Sequence, residues 1–262
     1  MCTPSLLASV VPKVSDGLSE GDIVLVDFEA WTDDGELFDT TRQDLALEEG
    51  WDVDEDELRP MPILLGGERV VPGFEQALLE AEVGEESEVE VPPVDAFGKH
   101  DDNRVRLYPR SELEKRDINL QPGAQVEIEG QRGQIVQTTA SRVRVDFNHP
   151  MAGKTLEYEY EVLEIIEGDQ EKLEALIALD YAVSKAEDFQ VTVEDGEAIV
   201  TVPDEASFDS QWFMARHRLG HDVFEHTELD GVEFRDEVTR EQMEEHDHGH
   251  GPGAAQAAPQ PH

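Results

Sequence analysis

Three histidines near the end of the sequence have the spacing of a metal site. His246, His248 and His250 alternate with Asp247 and Gly249, and two glutamates precede them. Imidazoles at alternating positions of a flexible chain can bind one Ni²⁺, Zn²⁺ or Cu²⁺ ion. Because the imidazoles must be neutral to bind, we expect this binding to be weak and pH-sensitive.

A second pair of histidines, His217 and His221, lies four residues apart on a predicted helix. Arginines at 216 and 218 interleave with them, which favours a solvated helix face over a metal site. Cys2 is the only cysteine, so the chain forms no intramolecular disulfide and no thiolate metal cluster. This cysteine usage fits a reducing compartment and predicts a cytoplasmic protein.

A carboxylate stands beside an aromatic residue in the segment Leu37-Phe38-Asp39-Thr40. Taken singly, Phe28, Phe38 and Phe97 are typical of strand residues that pack into a core. Asp39 is equally typical of a turn residue that hydrogen-bonds its own backbone. These residues indicate a site only if the fold brings them together.

The elements that carry these residues alternate between strand and helix patterns. Strand patterns cover 23–30, 37–40, 63–65, 88–91, 105–108, 126–129, 134–138, 143–147, 156–163, 191–193, 198–202 and 232–238. Helix patterns cover 74–79, a segment that begins at Gly168 with Asp169 as its cap and carries Leu173 on its apolar face, and 207–220. The sequence therefore predicts an α+β fold.

The same patterns divide the chain into units. We predict a loose leader over 1–17, a first domain formed by 18–99 and 148–167, a small all-β insert over 100–147, an α+β unit over 168–240, and a disordered tail over 241–262. The long alternating strand after residue 155 resembles the first strand, so the insert interrupts one domain.

The charge is strongly negative. Lys and Arg total 20 against 62 Asp and Glu, a net charge of −42, and the carboxylates are spread along the whole chain. This charge excludes nucleic acid as the main partner, because phosphates are repelled. It predicts a halophilic source, where molar salt screens self-repulsion. No apolar run approaches the ~20 residues of a membrane helix, so no membrane partner is expected.

Four segments, in this order, resemble the FKBP-type peptidyl-prolyl cis/trans isomerases: VDF (26–28), DGELFDT (34–40), LGGERVVPGFE (65–75) and DAFG (95–98). The resemblance spans residues 20–166. The unit that follows DAFG and ends at NHPMAG (148–153) is similar to the insert-in-flap chaperone domain of the SlyD-like branch, and long archaeal members resemble this arrangement with an extra C-terminal domain. The implied fold is an antiparallel half-barrel sheet wrapped on a short helix.

The resemblance implies an enzyme that rotates the prolyl peptide bond without a covalent step or cofactor. Rotation crosses a barrier of ~18–20 kcal/mol, which an apolar pocket lowers by favouring the twisted, less polar amide. By resemblance, the catalytic residues are Asp39, Phe28, Phe38, Phe97 and Tyr158, and the substrate-binding residues are Leu65, Val70, Val71 and Phe74. Asp39 matches the aspartate that faces the substrate carbonyl.

The implied partners are unfolded or partly folded proteins with X-Pro bonds, which the insert binds through exposed apolar surface. The C-terminal unit carries no chemical motif, and we expect it to support a homodimer through the Leu173 face or to add substrate contacts. SlyD-like proteins often carry His-rich tails, so His246, His248 and His250 match that feature in a shorter form.

Three positions depart from the common family pattern. Phe28 and Phe97 stand where tyrosine is usual, and Phe74 where many members have tryptophan. A tyrosine at 97 offers the substrate carbonyl a hydrogen bond worth about 0.5–1.5 kcal/mol, so its loss costs up to roughly tenfold in rate. The alternative function is therefore a holdase chaperone that recognises proline with little catalysis.

Overall fold

The computed structural model describes residues 17–53, 58–116, 118–181, 186, 188–207 and 209–236. Its strands are Ile23–Thr32 (β1), Leu37–Thr40 (β2), Met61–Leu64 (β3), Glu86–Val91 (β4), Val105–Pro109 (β5), Gln125–Ile128 (β6), Gln131–Thr138 (β7), Arg142–Asp146 (β8), Leu156–Ile166 (β9), Gln190–Glu194 (β10), Glu197–Thr201 (β11) and Gly231–Arg235 (β12). Its helices are Gln43–Glu48 (α1), Pro72–Leu79 (α2), Arg110–Leu113 (α3), Asp169–Asp180 (α4), Asp204–Ser207 (α5) and Ser210–His226 (α6).

The first sheet is antiparallel and has β1 and β9 at its centre. Its order is β2-β1-β9-β4, and β3 also pairs with β1. Burial alternates along β1, so one face of the strand is solvent-free and packs on α2 through Phe74 and Leu78. This is the sheet on a short helix that the resemblance implies, and the fold class is α+β as predicted.

Helix α2 begins where its sequence favours a helix start. Val71 is the extended residue before the helix and Pro72 is the first helical residue, where its missing N–H costs nothing. Gly73 packs close to β4, because a Cβ there would lie 2.5 Å from Val91 Cγ1. The helix therefore sits tightly against the sheet, and Phe74 points into the core.

The insert is a four-stranded antiparallel sheet of order β5-β8-β7-β6 with its own apolar core. The buried core residues are Leu113, Val126, Ile128, Ile135, Val143, Val145 and Phe147. Its two connections to the first sheet lie side by side, because the Asn148 side chain accepts from Asp101 N–H (3.1 Å) and donates to Asp101 O (3.0 Å). The insert can therefore be deleted without moving apart the two segments of the first domain that it connects.

The C-terminal unit packs α4 and α6 on the sheet β10-β11-β12, in which β11 and β12 are parallel. Two sequence expectations need correction here. Gly168, not Asp169, is the residue that precedes α4, and Asp169 Oδ1 instead accepts from Glu228 N–H at 3.1 Å. The helix expected over 207–220 is the short α5 followed by α6, which Asp209 caps by accepting from Gln211 N–H.

The apolar face of α4 is part of the chain's own core. Leu173, Leu176 and Ile177 have no exposed surface and pack with residues of α6 and the β10-β11-β12 sheet. The expectation that this face supports self-association is therefore wrong. Ile23 and Leu64 of the first sheet belong to the same core, so the two units share apolar packing.

Within the described ranges, no helix is both long and apolar enough to cross a membrane.

The charge predicts a salt-dependent fold. With a net charge of −42, raising KCl from about 0.1 M to about 3 M shortens the Debye length from ~10 Å to below ~3 Å and screens the repulsion. We expect the melting temperature, followed by circular dichroism, to rise over this range, by roughly 2–4 °C for each kcal/mol of repulsion that the salt screens. A melting temperature that does not change with KCl contradicts the prediction.

Candidate functional site

Three aromatic side chains from different elements form a buried cluster on the α2 side of the first sheet. Phe74 of α2 stacks on Tyr158 of β9 with ring centroids 4.1 Å apart and planes 10° apart. Phe28 of β1 packs against both rings, at 5.6 Å from Phe74 and 6.1 Å from Tyr158. All three are at most 6% exposed, so they form a rigid apolar floor.

Two half-buried rings stand on this floor. Phe38 of β2 meets Tyr158 edge-on at 6.0 Å, and Phe97, just after β4, meets Phe38 edge-on at 6.4 Å. The order of contacts is therefore Phe97, Phe38, Tyr158, Phe74 and Phe28, from rim to floor. The fold brings together the five rings that the resemblance singles out.

The loop between β3 and α2 adds the aliphatic part of the cluster. Leu65 is buried within it, whereas Val70 and Val71 pack against it and remain half-buried. Glu75 holds the loop from the helix side, because its Oε1 accepts from the backbone N–H groups of Gly66 (3.1 Å) and Glu68 (3.2 Å). The four predicted substrate-binding residues, Phe74 included, thus belong to one apolar cluster.

Asp39 lies at the edge of this cluster, opposite Ala30 in the β1–β2 ladder. The surface of Asp39 is exposed, yet neighbouring protein atoms surround much of its carboxylate. Desolvation raises the pKa of Asp39, and a hydrogen bond from the Thr40 backbone partly opposes the increase.

Asp39 also acts on its aromatic neighbour. Burial raises the pKa of the Tyr158 hydroxyl, and the negative charge of Asp39 raises it further. Tyr158 therefore stays protonated, with its O–H near the carboxylate that the family resemblance places opposite the substrate carbonyl.

The end of β2, which carries Asp39, is fixed by side chains that the sequence analysis did not single out. Thr40 Oγ1 donates to Phe28 O (3.0 Å), and Thr41 Oγ1 accepts from Phe28 N–H (2.8 Å). Asp27 accepts from Thr41 Oγ1 and from Arg42 Nε at 3.0 Å. Asp27 is part of the VDF segment. The motif therefore included this residue, but the sequence did not show that it binds Thr41 and Arg42.

His149 is a further residue that the sequence analysis did not single out. Its ring stacks on Phe97 with centroids 4.2 Å apart and planes 8° apart. Its Nδ1 accepts from Met151 N–H at 3.2 Å, which holds the ring in place. His149 lies in the segment 148–153, where the chain returns from the insert. Its stacking on Phe97 holds the Phe97 ring in position.

Position 97 gives a direct test of the missing hydroxyl. We expect Phe97→Tyr to raise kcat/KM for a proline peptide by up to about tenfold, because the new O–H can donate to the substrate carbonyl. Phe224→Tyr is the matched control, since Phe224 is 53% exposed on α6. Equal activities of the parent and Phe97→Tyr contradict the expectation.

Metal binding finds no support within the part of the chain that the structure describes, where no group of three or more His, Cys, Asp or Glu could hold an ion. His217 and His221 are exposed on α6, as the interleaved arginines predict, and His221 Nδ1 lies 3.3 Å from Glu225 Oε2. The predicted tail ligands His246, His248 and His250 lie outside the described residues and stay a prediction.

Family models match two regions of the chain. The model described as FKBP26, IF domain, matches residues 106–151, and the model described as FKBP26_C-terminal matches residues 169–239. The first region corresponds to the four-stranded insert and the second to the C-terminal unit.

Curated relatives extend the similarity. A short-type peptidyl-prolyl cis-trans isomerase of Methanocaldococcus jannaschii is 30% identical over 154 residues, which is 59% of this chain and 98% of the relative. The FKBP-type isomerase SlyD of Escherichia coli is 36% identical over 134 residues, or 49% of this chain and 68% of the relative. SlyD of Helicobacter pylori is 32% identical over 119 residues, or 44% and 63%.

Among solved structures, the crystal structure of FkpA from Escherichia coli aligns over 57% of this chain and 42% of that chain, at 17% identity and a TM-score of 0.30. The coverage and identity of the curated relatives decide the assignment. The chain belongs to the FKBP-type peptidyl-prolyl cis-trans isomerases and has the insert of the SlyD-like members.

Proposed function

We propose that this protein catalyses the cis/trans isomerisation of X-Pro peptide bonds in folding proteins. The observation that carries the proposal is the cluster of five aromatic rings, with the half-buried Phe38 and Phe97 on its outer side and Asp39 at its edge. We expect the pyrrolidine ring of the substrate to pack on these apolar rings, and the names of the curated relatives support the same reaction.

The pocket lowers the rotation barrier without forming a bond. A planar amide is polar because resonance places negative charge on its oxygen, whereas the twisted amide has lost that resonance. An apolar surround solvates the planar form less well than water does and so favours the twisted form. The rigid floor formed by Phe28, Phe74 and Tyr158 supplies this surround.

Asp39 adds an electrostatic contribution to the same preference. A carboxylate that faces the substrate carbonyl repels the partial negative charge on the oxygen, and this charge is larger in the planar amide than in the twisted one. The repulsion therefore raises the ground state more than the transition state. Its size grows as water is excluded from the pocket.

The insert supplies a second binding surface for the same substrates. Leu107 of β5 and Val136 of β7 are 52% and 43% exposed, and β5 and β6 are the two outer strands of the sheet. Exposed apolar side chains and outer strands favour binding of unfolded chains. Binding there raises the concentration of X-Pro bonds near the pocket.

A first test of the proposal is the exchange of a short X-Pro peptide, measured by NMR with intact protein in about 2 M KCl, a salt level that screens the charge. Acceleration of the exchange supports an isomerase. The absence of acceleration with retained peptide binding supports the second candidate, a proline-recognising holdase. The phenylalanines at 28 and 97, which lack the usual hydroxyls, are the observation that favours it.

We place the protein in the cytoplasm of a halophilic organism, which the lone cysteine and the charge support.

For self-association we propose the C-terminal unit, where Phe213 and Met214 of α6 are 77% and 72% exposed. Light scattering of the intact chain and of Phe213→Ser measures this association. An unchanged mass in the variant contradicts the proposed surface.

A further inference from the structure

One arginine joins the C-terminal unit to the loop that completes the proline pocket. Arg69 lies in the loop between β3 and α2, next to Val70 and three residues before α2 begins. Its Nη1 lies 2.9 Å from Asp180 Oδ1 at the end of α4, and its Nη2 lies 2.5 Å from Asp222 Oδ2 on α6. The sequence separations are 111 and 153 residues, so this contact exists only in the folded chain.

These ion pairs are shielded from solvent. The side chains of Asp180 and Asp222 are 0% and 13% exposed, and that of Arg69 is 18% exposed. Burial raises the pKa of Asp180, and the charge of Arg69 opposes the increase. Because low exposure limits screening, the arginine is held more firmly than in a surface pair.

The rest of the loop is anchored on the isomerase side. Leu65 exchanges backbone hydrogen bonds with Gly21 and Asp22, and Glu75 binds the N–H groups of Gly66 and Glu68. Glu68 has a φ of 52°, in the left-handed region that disfavours residues other than glycine. Such a backbone persists only where its surroundings hold it, and Arg69 is the next residue along the chain.

Attachment of the two units does not by itself require Arg69. Ile23 and Leu64 of the first sheet are buried in the core of the C-terminal unit, together with Leu173 and Ile177. This shared apolar core already joins the units. The ion pairs instead fix Arg69, the residue immediately before Val70 and Val71.

We propose that Arg69 is a positioning residue for prolyl isomerisation, through which Asp180 and Asp222 of the C-terminal unit hold Val70 and Val71 in the pocket. The inference rests on the proposed isomerase function. The residues of the C-terminal unit lie outside the aromatic cluster. Through Arg69, this unit nevertheless acts on catalysis indirectly.

The chain offers a matched control for this proposal. Arg218 of α6 binds the same Asp180 Oδ1 atom, at 2.8 Å, but its side chain is 55% exposed and belongs to the C-terminal unit. Arg69→Gln and Arg218→Gln therefore each remove one cation from the same buried carboxylate. Only the first releases the pocket loop.

The test compares kcat and KM for a proline peptide in the full-length parent, Arg69→Gln and Arg218→Gln. We expect kcat/KM to fall by about tenfold in Arg69→Gln and by less than about twofold in Arg218→Gln, even if both variants melt at lower temperature. Amide hydrogen exchange over residues 66–71 should accelerate only in Arg69→Gln. Arg69→Lys should recover part of the loss, because lysine keeps the charge but not the two-armed geometry.

Asp222→Asn keeps the test decisive if Arg69→Gln fails to fold, since Asp222 is replaced by an amide of the same shape. We expect a loss of about threefold in kcat/KM with faster exchange over the loop. Equal kcat/KM in the parent, Asp222→Asn and any folded Arg69→Gln overturns the positioning role. A parent chain without isomerase activity overturns instead the proposed function on which it rests.

Discussion

Replacing Asp39 by asparagine is expected to lower kcat/KM for prolyl isomerisation by roughly 10- to 100-fold, less than the ~100- to 1,000-fold lost when one donor of a preorganised oxyanion hole is removed, because water still reaches Asp39. The substitution keeps the shape of the side chain and removes the charge that repels the planar carbonyl. Measurement with a short X-Pro peptide isolates this effect, because a peptide of that size depends on the pocket alone.

Asp44→Asn is the matched control, since Asp44 is an exposed carboxylate in the first turn of α1. It should leave kcat/KM unchanged, and both variants should still suppress aggregation of an unfolded protein. An Asp39→Asn variant that keeps more than about half of the parent activity contradicts the electrostatic role assigned to Asp39.

The raised pKa of Asp39 adds a pH signature. Activity of the parent should fall as pH decreases through a pKa above the ordinary aspartate value of 3.8, and Asp39→Asn should lack this acid limb. The stability effect has the opposite direction. The folded state binds this proton more tightly than the unfolded state, so stability decreases as pH rises through the same window, and Asp39→Asn avoids that loss at neutral pH.

Removal of residues 100–147 is expected to have the other large effect. Catalysis of proline-limited refolding should fall by about 100-fold, because substrate capture raises the local concentration of X-Pro bonds by roughly this factor or more. Exchange of a short peptide should stay within about threefold of the parent, since the pocket residues lie outside the insert. The insert has its own core, and a short glycine linker can join its adjacent ends.

The control for this deletion is Leu107→Glu together with Val136→Glu, which keeps the insert and charges its exposed apolar side chains. We expect this variant to lose refolding catalysis as the deletion does while retaining peptide exchange. Equal refolding rates in the parent and both variants contradict a substrate-binding role for the insert.

Single strands and helices were predictable where the local residue pattern is enough to determine them. The strand patterns over 23–30 and 37–40 predict β1 and β2, and both strands form there. The pocket required the family resemblance, because Phe28 and Phe38 have the same local pattern as any core residue. Their convergence with Phe97 depends on pairing between strands far apart in the chain.

Features set by long-range packing were not predictable in this way. The apolar face of α4 looks the same whether another copy or the chain's own sheet covers it, and the structure shows the second. Asp169 has the residue type of a helix cap, yet its carboxylate accepts a hydrogen bond from the backbone of Glu228, 59 residues away. His149 and Arg69 act through partners that only the folded chain brings near.

The most direct test of the proposed function is proline-limited refolding of a salt-tolerant protein in about 2 M KCl, where charge repulsion is screened. The intact chain and Asp39→Asn are compared for the rate of the slow phase and for aggregation. Catalysis predicts that the intact chain accelerates the slow phase, that Asp39→Asn does not, and that both prevent aggregation. If neither accelerates the slow phase while both prevent aggregation, the protein is a holdase and the proposed catalysis is contradicted.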